Sequence, residues 1–106
     1  MLNPNVLFKK LTEAGDDWAD KQSAYNALEG SKSSVLASLM MESDAGSVAA
    51  KEMEAKASKA FKDYQKSVED AEKKALKAKV NFEAMKIWID LKRSESANER
   101  ALLKVS

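Results

Sequence analysis

Apolar and aromatic residues recur at alternating intervals of four and three along the second half of the chain: Ala57, Phe61, Tyr64, Val68, Ala71, Ala75, Ala78, Phe82, Met85 and Ile89. Charged residues fill most of the positions between them. A heptad period held over this length sets one face of a long helix against a partner helix and winds the pair into a left-handed supercoil. The first half carries a similar series: Leu7, Leu11, Ala14, Trp18, Lys21, Tyr25, Leu28, Lys32, Val35 and Leu39. It is the less regular partner. Lys21 and Lys32 occupy seam positions, where their stems pack while the ammonium groups reach for water, and Gly15 and Gly30 each cost about 1 kcal/mol relative to alanine in a helix.

Start and stop signals divide the chain. Asn3 is a good N-cap, and Pro4 follows it where a missing N–H costs nothing. The run Glu42-Ser43-Asp44-Ala45-Gly46-Ser47 loosens the backbone, and Asp44 or Ser47 can cap a new helix. The prediction is an all-α fold: one helical coiled-coil domain over 1–106, with a helix over about 4–42, a turn over about 43–47, a helix over about 48–93 and a C-terminal segment 94–106. A short connection makes the two helices an antiparallel hairpin. Folding about position 45 would set Tyr25 against Tyr64, Leu28 against Phe61 and Phe8 against Phe82. The small seam residues Ala71, Ala75 and Ala78 would admit the bulky Trp18. Beyond Arg93, Ser96 and Glu99 fit a capping box, which allows either a short third helix over Ala97–Lys104 or a helix that reads straight through.

Composition agrees with a long helical protein: 106 residues, 44% hydrophobic and 33% charged, with three Gly and one Pro. There is no Cys and no His, which removes disulfides, thiolate metal sites and the usual general base. No catalytic, cofactor-binding or metal-ligating set stands out, so the expectation is a non-enzymatic protein without cofactors. Acid pairs such as Asp16-Asp17 and Glu69-Asp70 have no visible pocket to perturb them. Met1–Asn5 lacks the basic start and apolar core of a signal peptide, and no apolar run approaches the roughly 20 residues that span a bilayer. A cytoplasmic location and no membrane partner are expected. The net charge of +1 conceals an asymmetry, −3 over residues 1–45 and +4 over 46–106, which favours packing of the two halves on each other.

Two groups of residues are candidate functional sites. With Phe61 at heptad position a, Leu76, Val80, Ile87, Trp88 and Leu91 fall away from the a/d seam. A hairpin would leave them in water, and contiguous exposed apolar area marks an interface. Together with the small core of a hairpin, this predicts a homo-oligomer, with a dimer forming a four-helix bundle favoured. The alternative is that Ala97–Val105 folds back over the same face. The second group, Lys86, Trp88, Lys92, Arg93 and Arg100, places an aromatic ring among cations, as in proteins that hold single-stranded nucleic acid by stacking. Lys59, Lys66 and Lys73 also recur at heptad spacing, but Asp63, Glu69, Asp70 and Glu72 are interleaved, as on an ordinary solvated helix face.

The segment Phe82-Glu83-Ala84, with Arg93-Ser94, Ala97 and Glu99-Arg100-Ala101, resembles small coiled-coil proteins of unknown function encoded by tailed phages and prophages. The likeness lies mainly in the C-terminal third. It implies a virus-side accessory role in DNA metabolism, within the host cell cytoplasm, and supplies no active-site residues. The leading expectation is a non-enzymatic, oligomerising helical adaptor or assembly protein that meets a protein partner. The alternative is an accessory protein of DNA recombination or replication that binds single-stranded nucleic acid. A membrane-surface or secreted hairpin fits less well, because its polar face should be more uniformly basic.

Overall fold

The computed structural model describes residues 3–105. Among these the chain forms four helices and no strand: α1 (Pro4–Gly30), α2 (Lys32–Met41), α3 (Val48–Ala57) and α4 (Lys59–Val105). The fold is all-α, as the heptad pattern predicts. Along α4 every seam residue from Phe61 to Ile89 named above is buried or half-buried, and every residue between them is exposed. Ala57 is the exception in that series. It ends α3, is exposed, and leaves the inward position to Ala55.

The chain falls into two compact units, each described here in turn. The first comprises the chain up to Ala19 together with the chain from Leu76 onward. Asn3 caps α1 through its Oδ1, which accepts the Asn5 N–H at 2.9 Å. Leu7 and Ile89 line the same grooves, and further along α1 Trp18 meets Phe82 with ring centroids 5.6 Å apart. As α1 advances, α4 recedes, so the two segments are antiparallel. Ala14, Ala78 and Ile89 are buried between them.

The second unit spans Asp20–Ala75. Here too the helices run antiparallel: Lys21 and Ala24 line a groove with Ser67 to Lys74, whereas Glu29 lies by Tyr64. The loop between α2 and α3 is pinned by Ser43, whose hydroxyl donates to Glu54 Oε2 at 2.8 Å and accepts the Ala45 N–H at 3.2 Å. Ser47 caps α3 by accepting the Ala50 N–H at 3.1 Å.

Several expectations are corrected. The helix over 4–42 is divided at Ser31. There the Ser31 N–H bonds to the Leu28 carbonyl at 3.2 Å, three residues back, and the Ser31 hydroxyl donates to Ala27 O at 2.9 Å. The Tyr64 hydroxyl donates to the same Leu28 carbonyl, so the opposite helix adds a second hydrogen bond to the backbone at the break. Seam position 32 is lost in the process: Lys32 is exposed and Ser31 is half-buried. The helix over 48–93 is divided at Ser58, whose ψ of 152° is extended. Its hydroxyl closes one helix and opens the next, donating to Ala55 O at 2.6 Å and accepting the Phe61 N–H at 3.2 Å.

The pairing expected from a fold about position 45 is also displaced. Phe82 packs on Gly15 and Trp18, not on Phe8, which is 72% exposed. Tyr64 reaches Leu28, not Tyr25. The loop explains the offset in its own unit: Glu42–Ser47 runs beside the first turns of α3, which brings Ser43 level with Glu54 rather than with its near neighbours. Trp18 packs on Phe82, with Lys79 Nζ 6.0 Å from its ring centroid. Finally, Ser96 and Glu99 start no new helix. α4 reads through to Val105, so the C-terminal segment does not fold back.

Candidate functional site

Leu76, Val80, Ile87 and Leu91 all lie on α4 within the first unit, and all remain exposed, from 54% at Leu76 to 63% at Val80. At about 100° per residue they fall within about 60° of arc, and that arc faces directly away from the seam formed by Ala78, Phe82, Met85 and Ile89. Ala84 lies about 20° outside this arc, beside Leu91. Trp88, at 43% exposure, stands on its edge. Because α4 continues as a helix, Leu102, 70% exposed, carries the outward side further, whereas Leu103, 76% exposed, lies on the side of the seam.

The stripe and the seam have different periods on one helix. Leu76 to Ile87, Val80 to Leu91 and Leu91 to Leu102 are each an 11-residue step. A heptad seam supercoils to the left, whereas an 11-residue repeat drifts slightly the other way. The outward face is therefore built for a nearly straight partner, unlike the inward one.

The core of the hairpin is thin. The buried residues are Ala14, Ala55, Phe61, Ala75, Ala78 and Ile89, and among the described residues no large side chain is fully buried. Trp18 Nε1 is enclosed without a hydrogen-bond acceptor, although its ring is held by Phe82 and Lys79.

The five residues considered for nucleic-acid contact are not brought to one place. Lys92, Arg93 and Arg100 line a groove of about 530 Å³ floored by Leu7, Leu11 and Ile89 and edged by Phe8, with no carboxylate among its lining residues. Lys86, Arg93 and Arg100, at heptad spacing, follow one flank of the seam. Trp88 lines a different groove with Leu7, Lys10 and Met85. Leu7 and Ile89 belong to both grooves, so α1 lies over the seam between the indole and the cations. Within the basic groove Lys92 is paired with Glu95 at 3.2 Å, and Arg100 Nε donates to Ser96 O at 3.4 Å. Heptad position implies part of this division, since Trp88 falls at g and Lys86, Arg93 and Arg100 at e; the packed pair adds that Leu7 lines both grooves.

Among the described residues no group of three or more His, Cys, Asp or Glu is placed to hold a metal ion, and no helix is long and apolar enough to cross a membrane. Among the described residues, Tyr25 and Glu52 have shifted ionisation. The Tyr25 phenol is raised, first by its hydrogen bond to Glu29, then by desolvation and by the charges of Glu29 and Glu72. The Glu52 carboxyl is lowered by its hydrogen bond to Lys56 and by that residue's charge, in an exposed ion pair at 2.8 Å one turn apart. Comparison with protein-family models, with curated proteins and with solved structures finds no match.

Proposed function

We propose that this protein is a non-enzymatic helical assembly or adaptor module that associates with itself through the outward face of α4. The observation that carries the reading is the stripe Leu76, Val80, Ile87 and Leu91, apolar and exposed on the side of α4 opposite its intramolecular seam. Burial of apolar surface contributes about 25 cal/mol per Å², and a hairpin with so thin a core gains proportionately more from it than a larger domain would. The read-through of α4 supports association between chains, since Ala97–Val105 does not supply a cover. Because the two apolar faces of α4 point opposite ways, pairing across the stripe gives a row of four helices with α1 on each outside edge, not the closed bundle expected from sequence.

The double substitution Val80→Glu with Ile87→Glu tests the reading. The parent should sediment as a dimer or larger species and the variant as a smaller one, with helical content retained. A monomeric parent would reject self-association.

An accessory role on single-stranded nucleic acid is the second reading, favoured by the basic groove of Lys92, Arg93 and Arg100. The separation of Trp88 from that groove counts against it, because stacking and phosphate contacts must reach one strand together. Salt-dependent retardation of a single-stranded oligonucleotide, lost on changing Arg93 and Arg100 to Glu, is the outcome that would favour it.

A further inference from the structure

We infer that the partner on the outward face is a second copy of this chain bound antiparallel, with a two-fold axis passing between the two α4 helices, level with the Glu83–Ala84 peptide. This rests on the self-association reading and adds its direction and register. The stripe runs Leu, Val, Ile, Leu with intervals of four, seven and four, so spacing and side-chain class read the same from either end. A two-fold axis at the midpoint sets Leu76 against Leu91 of the second copy and Val80 against Ile87 of the second copy. Such an interface is self-complementary, with each contact made twice.

The flanking charges distinguish antiparallel from parallel pairing. In an antiparallel two-fold pair, residues on one flank of the stripe meet residues of the same flank on the other copy. Lys77 and Trp88 lie on one flank, and Lys79, Glu83 and Asp90 on the other. The proposed register brings Lys79 to within about two residues, roughly 3 Å along the axis, of level with Asp90 of the second copy. Opposite charges therefore meet, twice over. On the other flank Lys77 comes to within about two residues, roughly 3 Å along the axis, of level with the ring of Trp88 of the second copy, within reach of a long side chain for a cation–π contact. Glu83 stands beside its own copy near the axis, with Lys79 and Lys86 on the same flank to offset the like charges. A parallel pair crosses the flanks instead. It would set Lys77 against Lys79 of the second copy and Asp90 against the face of Trp88, both unfavourable. Pairing with Asp90 draws the Lys79 ammonium away from the Trp18 ring, where it otherwise lies 6.0 Å from the centroid, while the apolar contacts of the inward seam, Phe82 on Gly15 and Trp18, are kept.

Disulfide trapping reads the register directly, and the chain has no cysteine of its own to interfere. Ala84→Cys, close to the axis, should form a covalent dimer on mild oxidation. Leu76→Cys alone should not, because its own copy lies about 22 Å away along the helix, whereas an equimolar mixture of Leu76→Cys and Leu91→Cys should. Cross-linking of Leu76→Cys to itself would overturn the antiparallel direction in favour of a parallel pair. A parent that sediments as a dimer while none of these variants cross-links would overturn the register but leave self-association standing. A parent that sediments as a monomer would reject both.

Discussion

Phe82 packs directly on Gly15, its Cε2 lying 3.4 Å from the point where a Cβ on Gly15 would stand. That separation is an ordinary van der Waals contact, so a methyl group fits. Gly15→Ala should then recover most of the helix-propensity deficit of glycine, about 1 kcal/mol, and raise the melting temperature by several degrees, about 4–8 °C per kcal/mol in a domain of this size. Gly15→Leu should cost about 1–3 kcal/mol, since its added volume meets the Phe82 ring. Thermal denaturation followed by circular dichroism measures both. A lower melting temperature for Gly15→Ala would mean that the ring cannot accept even a methyl group.

Ala75 is only 2% exposed, so the opposing surface leaves no space for a larger side chain. Ala75→Phe should destabilise by about 1–3 kcal/mol, and Ala75→Gly by about 1 kcal/mol through propensity alone. A phenylalanine variant as stable as the parent in urea would contradict the close packing at this position.

Ser58 both ends α3 and starts α4 through its hydroxyl. Removing it in Ser58→Ala takes away a cap and an acceptor for the Phe61 N–H, for a loss of about 1 kcal/mol. The urea midpoint should fall with an unchanged m-value, because the surface exposed on unfolding stays the same. A raised midpoint would show that a continuous helix through this point is preferred once the serine is gone.

The Tyr25 phenol is held above the ordinary tyrosine value, first by its hydrogen bond to Glu29. The folded pKa exceeds the unfolded one of about 10, so the stabilisation is fully present below about pH 10 and is lost as pH rises through the raised folded value. The chain has two tyrosines. In a Tyr64→Phe background the remaining phenolate absorbance should appear above about pH 10, and Glu29→Gln should move it downward. A titration unmoved by Glu29→Gln would remove Glu29 as the cause.

The seam from Phe61 to Ile89 was legible in the sequence residue by residue, as were the cap at Asn3, the turn before Ser47 and the outward stripe from Leu76 to Leu91. All of these follow from local helix geometry, in which a repeat of three and four residues determines which side chains share a face. The tertiary structure alone decided the register: in one unit Phe82 packs on Gly15 rather than beside Phe8, and in the other Tyr64 reaches Leu28 while the loop is tied through Ser43 and Glu54, contacts that leave no periodic trace. It also decided the breaks at Ser31 and Ser58, where a serine hydroxyl bond of about 1 kcal/mol competes with helix continuation on nearly equal terms. The placement of α1 separates Trp88 from Lys92, Arg93 and Arg100, residues that proximity in sequence had grouped together. Heptad position already sets Trp88 on one flank of the seam and Arg93 and Arg100 on the other; that Leu7 of α1 fills the space between, lining both grooves, depends on packing between distant segments.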